Sequence, residues 1–226
     1  MTGDTRPDLK IIGVGGASGG SFRHVTIDGV GKVDGGLQCE QAVINGVATI
    51  RGEIAAEHLD LNGKMSVQGN LVAAVAAIEG HIKVSGKLEC DQVKLSGIMK
   101  LQGDCEAEFF TARGSFEITG MLNAGEIDII LHGPGEAVEI GAERIRVSKS
   151  DKQTWSKWLK WLIPSFNPHL TAAVIEGDEV QLEATSAKVV RGNRIMIGAD
   201  CSIGRVEYRT ELIIHPNAKV AEKIQY

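Results

Sequence analysis

Two interleaved series of glycines constrain this chain more than any other feature. Gly29, Gly46, Gly63, Gly80, Gly97 and Gly114 recur every 17 residues. Gly35, Gly52, Gly69, Gly86, Gly103 and Gly120 recur at the same 17-residue step, six residues later in each repeat. Self-similarity at a fixed short period is the mark of a solenoid, in which one repeat forms one structural unit. Glycine at fixed offsets supplies the places where φ is positive or the backbone turns tightly.

Between the glycines, apolar and polar residues alternate. Leu59, Leu61, Met65, Val67, Leu71 and Ala73 are apolar, while Asp60, Asn62, Lys64, Ser66, Gln68 and Asn70 lie between them. The following repeats place Ala76, Ile78, Ile82, Val84, Leu88 and Cys90, then Val93, Leu95, Met99, Leu101, Cys105 and Ala107, in the same slots. A period of two predicts strands with one buried face. Each repeat then holds three short strands and three bends. A single repeat cannot bury its own apolar face, but a stack of repeats builds a continuous core. The fold predicted is all-β: a right-handed parallel β-helix with 17-residue turns. A left-handed helix advancing by hexapeptides fits the glycine spacing poorly.

The regular pattern, six turns followed by looser ones, covers residues 22–148. Ile127, Ile129 and Leu131 alternate after Gly120, followed by Val138, Ile140, Ile145 and Val147. Ile140–Val147 resembles Ile175–Leu182, and both resemble Val190–Ile197, so further turns or a cap are expected over 172–226. Residues 149–171 read as an insertion. Trp155, Trp158, Leu159 and Leu162 fall at the spacing of a helical apolar stripe, with Trp161 nearby and Pro164 closing the segment. This short amphipathic helix could cover a flank or end of the β-helix, lie in a membrane interface, or bind a partner. Residues 1–21 read as a flexible, Gly-rich lead-in. The run Gly13–Gly20 superficially resembles a dinucleotide loop but precedes a strand-like segment instead of a helix.

Composition narrows the function. The net charge is −5, and no basic patch or stripe is evident along the chain, which argues against nucleic acid as a partner. Without a leader-like start or a long apolar run, the chain reads as cytoplasmic. Cys39, Cys90, Cys105 and Cys201 have no metal-ligand spacing, and all four read as small inward residues. His24, His58, His81, His132, His169 and His215 are scattered and read as surface or turn residues, so no cofactor or metal is expected.

Two enzyme classes fit the sequence less well. Ile197–Gly204 matches two hexapeptides of the acyltransferase type, with His215 as the one nearby base. Carbohydrate-active β-helices need clustered carboxylates on an outer face. The outward acids Asp28, Asp60, Glu79 and Asp104 alternate with Lys, Arg and Asn along the chain. The expectation is a non-enzyme.

The locked repeat of Leu59–Ala73, together with Ala187–Gly198 and Cys201–Tyr208, resembles the bactofilins, or polymer-forming cytoskeletal proteins. It is similar in particular to the longer, two-segment members of Gram-positive bacilli. The resemblance covers residues 22–148 and 172–226. It implies a bacterial cytoskeletal scaffold that self-assembles without nucleotide, often at the inner membrane face, and positions cell-wall, shape or motility machinery. Its implied partners are further copies of itself, a second bactofilin, and envelope or motility proteins. In that family apolar residues at solenoid ends support assembly. Phe22, Phe109, Phe110 and Phe116 are the candidates here, and Trp155, Trp158, Leu159, Trp161 and Leu162 are the candidates for membrane or partner contact. The second expectation is a capped β-helical adaptor that recruits a partner through the Trp segment.

Overall fold

The computed structural model describes residues 6–150 and 168–226. It is an all-β parallel solenoid whose strands neighbour one another in chain order. The strands are β1 (Leu9–Ser21), β2 (His24–Arg51), β3 (Ile54–Val67), β4 (Leu71–Val84), β5 (Leu88–Leu101), β6 (Cys105–Lys149), β7 (His169–Leu182), β8 (Thr185–Ile197), β9 (Ser202–Ile214) and β10 (Lys219–Gln225). The chain divides into two compact units, residues 1–109 and 110–226. The Trp-containing segment expected as a helix lies outside the described residues. The flanking strands reach into the expected range of 149–171, since Lys149 belongs to β6 and His169 opens β7.

In the first unit the 17-residue frame is the register. Gly46 pairs with Gly63, Gly63 with Gly80, and Gly80 with Gly97. Leu59, Ala76 and Val93 stack in one inward column, and Met65, Ile82 and Met99 in another. These residues are at most 1% exposed. Each fully buried Leu or Ile contributes about 1.5–3 kcal/mol relative to leaving it in water.

The three bends of a rung have different causes. At the first, Gly46, Gly63, Gly80 and Gly97 take φ of 127°, 136°, 128° and 143°, where L residues rarely go. A Cβ there would sit 2.0–2.2 Å from the carbonyl oxygen of the glycine one rung earlier. At the second, a Cβ on Gly52, Gly69 or Gly103 would lie 2.6–2.8 Å from backbone of the preceding rung. At the third there is no glycine. Two successive residues face outward, and the buried positions step by three, from Ala73 to Ala76 and from Cys90 to Val93.

That third bend also explains a departure from the expected alternation in the second unit. Val138, expected inward, is 50% exposed, because the buried positions step from Ala137 to Ile140. The matching step runs from Ala172 to Ile175 and from Ala187 to Val190.

Residues 9–21 are not a loose lead-in. They form β1, which pairs parallel with β2 at a 16-residue offset (Leu9 with Val25, Ile11 with Ile27) before a register shift between Ser18 and Gly20. Glycine at this point of the β1–β2 pair has a packing reason: a Cβ on Gly15 of β1 would meet Cγ2 of Ile11 at 3.1 Å, and its partner Gly31 of β2 is more confined. A Cβ on Gly31 would meet Cγ2 of Ile27 at 2.5 Å, so the isoleucine occupies that space.

The second unit keeps the stack with rungs of other lengths. Ile140 pairs with Ile175, Ile175 with Val190, and Val190 with Val206. Here charge columns supplement glycine. Glu126, Arg144, Glu179, Arg194 and Glu211 alternate in sign from rung to rung. Arg144 bonds Glu126 at 2.6 Å and approaches Glu179 at 3.7 Å, and Arg194 pairs with Glu179. Arg194 also stands opposite Glu211. A second column runs Glu176, Arg191, Glu207, with contacts of 3.3 and 2.5 Å. The Arg191 guanidinium holds the Glu207 carboxyl below its ordinary pKa. Exposed pairs contribute little each. Their consistent alternation still disfavours slipped rungs, which would stack like charges.

Candidate functional site

The thiols face the core. Burial pushes the Cys39 thiol up to about 11 and the Cys90 thiol up to about 12. Cys105 and Cys201 are raised by the same cause. Such groups carry essentially no thiolate at neutral pH, and the thiolate is the reactive form. The histidines are spread apart. His24 Nδ1 lies 3.2 Å from Asp8, His169 Nε2 lies 2.8 Å from the Ser186 hydroxyl, and His215 Nδ1 accepts the Asn217 N–H at 3.1 Å. Among the described residues no group of three or more His, Cys, Asp or Glu is arranged to hold a metal ion.

His81 and His169 carry a pH consequence. Burial, followed by the charge of Lys64 and Lys100, holds His81 below the ordinary 6.5. Burial and Lys149 lower His169 in the same way. A lowered folded-state pKa means that the unfolded chain binds more protons as pH falls below 6.5. This part of the stability is complete above that pH and is lost as pH falls through the lowered value. Urea midpoints are therefore expected to drop as pH falls below 6.5, and less steeply in H81Q. An unchanged slope in H81Q contradicts this.

The four phenylalanines expected as assembly contacts lie in different surroundings. Phe110 (1% exposed) and Phe116 (3%) are core residues whose rings meet edge to face, with centroids 5.8 Å apart. Phe22 is half-buried in the bend between β1 and β2, where its N–H donates to the Gln38 carbonyl at 2.8 Å. Phe109 is 43% exposed. Of these four, Phe22 and Phe109 leave surface exposed.

The two terminal strands of the sheet order contrast sharply. β1 has 13 residues, one charge (Lys10) and exposed Ile12 (68%) and Val14 (87%). β10 has seven residues, including Lys219, Glu222 and Lys223. Lys223 pairs with buried Val206, so a column that is apolar at Ile140, Ile175, Val190 and Val206 ends in a cation. A long, apolar, weakly charged edge strand invites pairing with another strand, whereas lysine on an edge discourages it.

The outer faces of the first unit also differ. After each corner glycine the outward residues are Val30, Lys32 and Asp34, then Val47, Thr49 and Arg51, then Lys64, Ser66 and Gln68. Two more rungs add His81, Lys83 and Ser85, then Ile98, Lys100 and Gln102. Lys32, Arg51, Lys64, Lys83 and Lys100 thus stand there with the single carboxylate Asp34. The face after the second glycine series carries Glu40, then Glu53 and Glu57, then Glu89 and Asp91, then Asp104, Glu106 and Glu108, with the one cation Lys87. The third face is mixed. A basic stripe therefore exists where none was visible along the chain. Its signal was present in the sequence, but only when charges are read down the 17-residue columns.

In the second unit an open groove of about 460 Å³ is lined by Lys149, His169, Asp200, Cys201 and Lys219. Another of about 590 Å³ is lined by residues that include Glu139, Glu176, Gly177, Arg191, Gly192 and Arg209.

What the fold and its surfaces define is a parallel β-solenoid with one weakly charged edge strand that exposes apolar residues, and with charge-segregated faces on its first unit. The chain is 41% identical to the uncharacterized protein YhbE of Bacillus subtilis over 106 residues, which are 46% of this chain and 42% of that relative. It is 40% identical to the uncharacterized protein YhbF of the same organism over 105 residues, 46% of this chain and 41% of the relative. The match thus spans about two-fifths of the relatives' length. No protein-family model and no solved structure matches the chain.

Proposed function

We propose that this chain is a bactofilin-like scaffold subunit. It assembles without nucleotide, through its solenoid edges, into a polymer that positions cell-envelope machinery at the inner membrane face. The observation that carries this reading is the β1 edge: 13 residues, one charge, and Ile12 and Val14 left 68% and 87% exposed. Strand addition to such an edge supplies backbone hydrogen bonds and covers apolar surface together. A contact that does not close on itself propagates into a filament.

The second reading is a capped adaptor that does not polymerise. The charged β10 strand, with Lys223 ending an apolar column, favours it.

Sedimentation and negative-stain electron microscopy of the full chain, without nucleotide, separate the two. The scaffold reading expects filaments from the wild-type protein and their loss in an Ile12→Lys/Val14→Lys variant that keeps its strand circular dichroism. A wild-type protein that stays monomeric across salt and pH overturns it in favour of the adaptor.

A further inference from the structure

We infer that the basic face of the first unit is a lateral docking surface for the acidic face of a second copy of this chain. The contact is separate from the edge contact proposed above, and it rests on that reading only for its amplification by polymer growth. On the basic face Lys83 and Lys100 pair across neighbouring rungs, with Lys64 one rung earlier in the adjacent outward column, and the acidic face projects Glu89 and Glu106 on successive rungs. Both rows therefore share the spacing of about 4.8 Å that parallel strands impose, so cations and carboxylates of two copies can match rung for rung. Both faces also leave apolar surface to bury: Val30 (49%), Val47 (42%) and Ile98 (40%) on one, Val72 (42%) on the other.

The occupant is another copy because one contact of this kind complements both faces. The surfaces differ, so the contact is heterologous and a pair keeps one free basic and one free acidic face for the next copies. An anionic lipid surface would satisfy the basic face and leave the acidic one without a role.

Five residues by five rungs give a face of roughly 16 by 24 Å, or about 400 Å² a side. Stable pairs bury about 800 Å² a side, so two single chains attract only weakly. Polymers presenting many copies gain from avidity. The contact is then a device that bundles filaments, with strong salt dependence, because screening shortens from about 8 Å at 0.15 M to about 3 Å at 1 M.

The test uses the full chain with two charge reversals, Lys83→Glu/Lys100→Glu and Glu89→Lys/Glu106→Lys. Electron microscopy at low salt should show bundles from the wild type, single filaments from each variant alone, and bundles again from their equal mixture. Single filaments from the wild type at low salt, or no rescue on mixing, overturn the lateral contact and leave the edge-assembly reading standing. If no filaments form, that reading fails and the lateral contact is read by light scattering of concentrated protein. It predicts attraction for the wild type and the mixture, repulsion for each variant alone, and no support for the contact if the four samples behave alike. Co-sedimentation with phosphatidylglycerol vesicles tests the other occupant. Binding lost only in the lysine variant, with no rescue on mixing, assigns the basic face to lipid and overturns the proposal.

Discussion

Gly63→Ala is expected to lower the unfolding free energy by about 3 kcal/mol or more, although it adds one methyl group. Two costs combine. The residue sits at φ 136°, outside the ordinary range of L residues, and its new Cβ would lie 2.2 Å from the Gly46 carbonyl oxygen. The obstacle is backbone, which cannot rotate away like a side chain. Relief requires two rungs to separate, and separation weakens the parallel hydrogen bonds on both sides of the corner. Urea denaturation of G63A beside Lys64→Ala isolates the effect, since the lysine is an exposed neighbour whose removal should cost about 0.5 kcal/mol at most. A loss below about 1 kcal/mol in G63A would show that the corner relaxes easily, and the account of the glycine column would be wrong.

Phe110→Ala is expected to cost about 3–5 kcal/mol, the range for emptying a large buried aromatic site. The ring is fully enclosed and packs edge to face on Phe116. The space near Phe116 is already fitted closely, since a Cβ on Gly135 would lie 2.9 Å from that ring. Phe109→Ala, at a half-exposed site, should cost under about 1 kcal/mol. The pair also separates packing from assembly. F110A should shift the urea midpoint while leaving filaments intact at temperatures where it is folded. F109A should leave the midpoint nearly unchanged, and any loss of filaments would then mark a contact. Equal midpoints for the two variants would contradict their different burial.

The glycine frame and the inward columns were legible in the sequence because a solenoid repeats its physical requirements at every rung. Later segments were legible for the same reason. The likeness of Ile140–Val147, Ile175–Leu182 and Val190–Ile197 is the register in which they pair. What stayed hidden depends on neighbours across rungs. β1 looked loose because its glycines weaken any local strand signal, yet pairing with β2 supplies the hydrogen bonds that its side chains do not. Val138 looked inward because alternation says nothing of a bend where two residues in a row face out. The phenylalanines looked equivalent as candidate contacts, since the sequence places Phe109 and Phe110 side by side while the pleat sends them to opposite sides. The charged faces were invisible along the chain, where Lys and Glu alternate, and emerged only when rungs were laid over one another.

The two halves of the chain also differ in how they can change length over evolution. A glycine column looks the same from every rung, so gene duplication or deletion of one 17-residue repeat in the first half restores an equivalent neighbour. The alternating column from Glu126 through Arg144, Glu179 and Arg194 to Glu211 has a period of two rungs. Gaining or losing a single rung there brings like charges together, whereas gaining or losing a pair does not. Relatives of this chain should therefore vary in the first half by single repeats and in the second half by repeats taken two at a time.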